Sequence, residues 1–127
     1  MPVLMVALGG AFGAVARYGL SGWVQTQLST TFPAGTMVVN VLGSFLLGLS
    51  LPLFESLAWS VEVRTMVTLG FLGAFTTFST FSYEAMVLVQ GGEWARGGLY
   101  MGGSLLLGLV AVLAGMAVAS LMLQTRG

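Results

Sequence analysis

The chain contains no cysteine and no histidine. The first absence excludes disulfides and thiolate metal sites. The second excludes acid–base chemistry by imidazole. Charge is almost as scarce. Of 127 residues only Arg17, Arg64, Arg96, Arg126, Glu55, Glu62, Glu84 and Glu93 ionise, and the formal net charge is zero. Nucleic acid is excluded as a partner, because binding it requires a basic surface that displaces counterions. A soluble domain carries roughly a quarter charged residues, whereas this chain carries 6% against 57% hydrophobic residues. With a mean hydropathy of +0.98, it reads as an integral membrane protein, one domain over residues 1–127. No nucleophile–base triad and no cluster of side-chain metal ligands is evident, which points away from an enzyme. The first 22 residues lack the basic start of a cleaved signal peptide.

Four apolar runs follow one another: Pro2 to about Val24, Thr36 to about Phe54, Thr65 to about Val89, and Gly97 to Leu123. A helix needs about 20 residues to cross the hydrocarbon of a bilayer, and the last run is long enough to cross with tilt. The expected fold is therefore an all-α integral membrane protein with four transmembrane helices and both termini on one side. Arg64 and Arg126 fall on the terminal side, Arg96 and Arg17 towards the other. The positive-inside rule has little to act on, and either insertion is open.

The third run is not an ordinary membrane helix. Within Gly70–Glu84, read GFLGAFTTFSTFSYE, two glycines precede Thr76, Thr77, Ser79, Thr80 and Ser82, with phenylalanines threaded between them. Glycine and β-branched threonine both lower helix propensity. Irregular backbone at membrane depth is tolerated only where protein covers it or a water-filled cavity meets it. The third helix is expected to break near its middle, around Gly73 to Thr77, at the centre of an ion path.

Polar residues on the other runs are regularly spaced. Thr36, Asn40 and Ser44 lie four apart and share a face of the second helix. They suit either an interhelical bond or a pore lining with an amide donor. Tyr100, Ser104 and Gly108 repeat the spacing on the last run, as a packing stripe or a polar track. Gly9 and Gly13 form a GxxxG pair that lets another helix approach closely. Arg17, late in the first run, either snorkels to water or lines an aqueous vestibule. Glu84 is expected near an interface as a solvated carboxylate. Three polar faces cannot all be sheltered inside four helices, so an oligomer of at least two copies is expected; if both orientations insert, an antiparallel two-fold dimer becomes available.

Thr, Ser, Tyr and Asn side chains all donate hydrogen bonds, and aromatic ring edges are partly positive. Such a lining suits a small anion that has no fixed countercharge. Two rivals share the four-span plan. A proton-coupled exporter of cationic drugs requires Glu84 to be buried and to titrate. A non-conducting assembly subunit requires no flux at all.

Three motifs in order, GGAFGAVARY (Gly9–Tyr18), GTMVVNVLGSFLLG (Gly35–Gly48) and GFLGAFTTFSTFSYE (Gly70–Glu84), make the chain resemble the CrcB/Fluc family of fluoride channels along nearly its whole length. The resemblance implies an antiparallel dual-topology homodimer with two pores, in an inner or plasma membrane, through which fluoride leaves the cell passively and its toxicity is relieved. It implies that Phe78 and Phe81 contact the anion, that Asn40 is the pore asparagine and that Arg17 is the vestibule arginine. Ser79, Thr80, Tyr100 and Ser104 match a hydroxyl track beside the pore. Gly73 and Thr76 match positions whose backbone carbonyls hold a structural sodium ion at the dimer centre; broken helix ends present such free carbonyls, and oxygen suits a hard ion.

Overall fold

A computed structural model describes all 127 residues, and they are entirely helical apart from short connections. Helix α1 spans Pro2–Leu28, α2 Ala34–Ser56 and α6 Trp94–Gln124. These three are each long and apolar enough to cross a membrane. Between α2 and α6 lies a segmented run: α3 (Val61–Thr65), a π-helical stretch (Met66–Leu72), α4 (Gly73–Phe75) and α5 (Phe78–Gln90).

The first two helices outrun their apolar patterns for local reasons. Pro2 opens α1, where a missing amide donor costs nothing. The helix continues past Val24 until Ser29 turns left-handed (φ 45°, ψ 43°) and returns its N–H to the Gln25 carbonyl. Gln25, which the sequence places in a loop, is helical and ties that loop down. Its Nε2 donates to the carbonyls of Thr30 (2.6 Å) and Phe32 (2.9 Å), and its Oε1 accepts the Gly35 N–H (3.0 Å). In α2, Pro52 removes one backbone donor, yet the helix runs on to Ser56.

Only 20 of the 127 residues are buried, and eight of them are the glycines at 9, 13, 35, 43, 48, 70, 97 and 115. The interior is therefore made by backbones in close approach rather than by large side chains, as expected where lipid is as apolar as the core. Gly9 and Gly13 lay α1 against the π-helical stretch; a Cβ on either would overlap the carbonyl of Met66 or of Phe71. Gly48 and Gly115 do the same for α2 and α6, against the carbonyls of Val112 and Phe45. The GxxxG pair is a packing device within the chain. Large apolar side chains such as Phe12, Trp23, Leu69 and Leu113 point outwards.

Candidate functional site

The segmented run is broken where the sequence places the break. Thr76 (φ −89°, ψ 157°) and Thr77 (φ −149°, ψ 116°) are extended between α4 and α5. Two extended residues leave backbone groups without helical partners, and every buried one needs a partner. Asn40, from α2, supplies two. Its Oδ1 accepts the Thr77 N–H (2.7 Å) and its Nδ2 donates to the Thr77 carbonyl (3.1 Å). Thr77 in turn caps α5, its Oγ1 accepting the Thr80 N–H (3.3 Å) and meeting Thr80 Oγ1 at 3.0 Å. Thr76 turns its hydroxyl back onto the Leu72 carbonyl (3.0 Å).

Arg17 is half-buried, and its Nε donates to the Ala74 carbonyl at 2.9 Å. The side chain thereby reaches α4 beside the break. Ser21, one turn on, binds back to the Arg17 carbonyl (2.6 Å). It lines a polar cavity of about 330 Å³ with Gln25, Thr31, Thr36, Thr80 and Glu84. Glu84 is not the freely solvated carboxylate expected from its position. It is half-buried and accepts a hydrogen bond from the Thr36 hydroxyl. Thr36, Asn40 and Ser44 thus share a face, as their spacing requires, and that face meets the segmented run.

Phe78 and Phe81 open α5 with ring centroids 5.8 Å apart. Phe81 is half-buried and packs on Tyr100 at 5.1 Å, which also meets Phe32 edge-on at 5.5 Å. Phe78 instead is 80% exposed, and Ser79 is exposed beside it. Asn40, Phe78, Phe81, Ser104 and Leu105 line a cleft of about 180 Å³. Tyr100 is fully buried, and neither its hydroxyl nor that of Ser104, one turn further along α6, has a hydrogen-bond partner within the chain. A buried hydroxyl without a partner costs about 1–3 kcal/mol.

A second cleft, about 270 Å³, is lined by Asn40, Gly43, Ser44, Gly73, Thr76 and Thr77 among others. No cluster of acidic side chains could hold a cation anywhere in the chain. The oxygens that fit a hard cation here are carbonyls. Gly73 is exposed, and a Cβ there would find no atom closer than 3.7 Å. The two clefts share Asn40 and Phe78. Phe81 and Ser104 line only the first, Gly73 and Thr76 only the second. Thr80 lines the polar cavity with Glu84, and Arg17 bonds Ala74 beside the break. The sequence assigns Thr77 no role beyond the break, and reads Glu84 as a solvated carboxylate or, for an exporter, as a buried titrating one. The signal for Thr77 was a threonine three residues before Thr80 at a helix start, the spacing of a capping hydroxyl.

Residues 4–116 match the family model described as CrcB-like protein, Camphor Resistance (CrcB). The chain belongs to the CrcB family. Relatives in this family include a fluoride-specific ion channel FluC of Thermus thermophilus, 53% identical over 112 residues that cover 88% of each chain. The FluC proteins of Acidobacterium capsulatum and Hahella chejuensis carry the same description. The first is 46% identical over 94% of this chain and 97% of its own. The second is 48% identical over 95% and 96%. CrcB membership covers all three motifs and the whole cleft system, and places the chain in a family of multi-pass membrane channels.

Proposed function

We propose that this CrcB-family chain is a fluoride-selective channel through which fluoride leaves the cell passively, relieving its toxicity. The observation that carries the reading is the cleft at Asn40, Phe78, Phe81 and Ser104, with partnerless buried hydroxyls on Tyr100 and Ser104, in a chain up to 53% identical to proteins named fluoride-specific channels. Fluoride is small and strongly hydrated, and it gives up water only to strong, closely fitted donors. Hydroxyls, an amide and partly positive ring edges are such donors, and none adds a fixed charge that would trap the ion. Conduction requires binding that is favourable yet weak enough to release. Arg17 supplies positive charge near the approach, and Ser79 and Thr80 extend the donor track past the Phe pair.

The conducting unit in this reading is an antiparallel dual-topology homodimer with two pores, inserted in the inner or plasma membrane, with the segmented run as the third of four crossings. Phe78, 80% exposed in the single chain, is then covered by the second copy. In this reading the backbone carbonyls of Gly73 and Thr76 would hold a structural sodium ion at the dimer centre. It would supply positive charge and a tie between copies.

Fluoride efflux from liposomes containing the purified protein, run beside chloride efflux, tests the reading. Fast fluoride release with little chloride release is expected. No fluoride release from a verified, folded oligomer would reject it and favour a non-conducting assembly subunit. One observation favours a second reading: Glu84 is half-buried and hydrogen-bonded, as a proton-coupled exporter requires. Such an exporter predicts drug movement that a protonophore abolishes, whereas the channel needs no proton gradient.

A further inference from the structure

We infer that Asn40 and Thr77 are positioning residues that create the cation site by diverting two amide donors from the carbonyls of Gly73 and Thr76. The inference rests on the proposed sodium reading and concerns how this chain makes its oxygens available.

In an unbroken helix each carbonyl accepts the N–H four residues on. The Gly73 carbonyl would accept from Thr77, and the Thr76 carbonyl from Thr80. Neither donor is free to do so. The Thr77 N–H goes to Asn40 Oδ1 at 2.7 Å, and the Thr80 N–H goes to Thr77 Oγ1 at 3.3 Å. The other carbonyl interactions at the break differ. Ala74 keeps a donor from Arg17 Nε (2.9 Å), and Thr77 keeps one from Asn40 Nδ2 (3.1 Å). The side chains around the break thus satisfy Ala74 and Thr77 and strip Gly73 and Thr76 of their helical partners. The stripped pair is three residues apart, and both line the same cleft as Asn40 and Thr77. Freed carbonyls are strong acceptors with no competing donor, the ligand type a hard cation takes.

Asn40 also lines the other cleft, with Phe78, Phe81 and Ser104. Asn40 and Phe78 are the two residues that line both clefts, and of the two only Asn40 also bonds the broken backbone. Substitutions that remove the acceptor oxygen of Asn40 or Thr77 accordingly change the response to sodium, a readout that a residue serving only the pore would not move.

The test is the thermal melting of the purified full-length protein in sodium chloride against choline chloride. Wild type is expected to melt higher in sodium. Thr77→Ser keeps the capping hydroxyl and is expected to keep the whole sodium shift. Thr77→Val lacks the acceptor for the Thr80 N–H and is expected to lose most of it. Asn40→Asp retains an oxygen for the Thr77 N–H and keeps a sodium shift, whereas Asn40→Leu loses it. A full sodium shift in both Thr77→Val and Asn40→Leu would overturn the inference and leave the sodium reading intact. No shift in wild type would overturn the sodium reading itself, and the inference with it. If Thr77→Val and Asn40→Leu both fail to assemble in either salt while Thr77→Ser assembles, the two side chains serve the fold alone, and the inference is likewise overturned.

Discussion

The side-chain amide of Asn40 pairs with the backbone N–H and the backbone carbonyl of Thr77, at 2.7 and 3.1 Å, across 37 residues of sequence. An amide presents a donor and an acceptor side by side at this spacing without carrying charge. It takes the place of a neighbouring strand beside two extended residues. Replacing it by aspartate keeps the acceptor and turns the donor into a negative charge facing a carbonyl. Asn40→Asp is expected to lower fluoride efflux from liposomes by about tenfold or more, since one lost hydrogen bond to a polar partner is worth roughly a tenfold effect. Wild-type efflux would remove Asn40 from the conduction path.

The two phenylalanines separate pore function from stability. Phe81 is packed on Tyr100, while Phe78 projects from the chain. Phe81→Ala is expected to lower both flux and melting temperature, with a packing loss of roughly 1–3 kcal/mol for a half-buried ring. Phe78→Ala is expected to lower flux with a smaller loss of stability. Efflux and melting measured on the same preparations check this, and equal flux in all three proteins would take the rings out of the mechanism.

Ser104 offers a cleaner separation. Its hydroxyl is buried without a partner in the chain, so removing it relieves a desolvation cost of about 1–3 kcal/mol rather than breaking a bond. Ser104→Ala is expected to be as stable as wild type or more so, and yet to conduct less. A destabilised but fully conducting variant would show that the hydroxyl serves packing.

The approach of α1 to the π-helical stretch leaves no room at Gly13, where a side chain would overlap the Phe71 carbonyl. Gly13→Val is expected to abolish a monodisperse oligomer in size-exclusion chromatography. Gly19→Ala, on the same helix with no atom within 4 Å of the new Cβ, is expected to behave as wild type. Similar profiles for Gly13→Val and wild type would mean that α1 does not pack here as described.

Arg17→Gln removes the donor to the Ala74 carbonyl. A hydrogen bond to a charged group contributes about 1.5–3 kcal/mol, so a lower melting temperature is expected together with reduced flux. Arg17→Lys keeps the charge but not the planar Nε donor, and is expected to restore flux more than stability. Identical melting in Arg17→Gln and wild type would count against a structural role for the Ala74 contact.

The chain alone determined the membrane class, the number of apolar runs, the place of the break and the shared face of Thr36, Asn40 and Ser44. These follow from composition and from periodicity, which act over neighbouring residues and need no knowledge of what packs where. The family was also legible, because its three motifs stand in the linear sequence. Helix ends were read short, since Gln25 and Pro52 are poor signals once tertiary bonds satisfy or bypass them. Three features belong to the tertiary structure only. One is the turn of Arg17 inwards to Ala74, and another the burial of Glu84 against Thr36. The last is the service of Asn40 to the backbone of Thr77. Each joins residues tens of positions apart, and which partner a polar side chain meets is fixed by helix packing. Here glycine contacts set that packing, by bringing backbones close enough for side chains of one helix to reach the broken backbone of another.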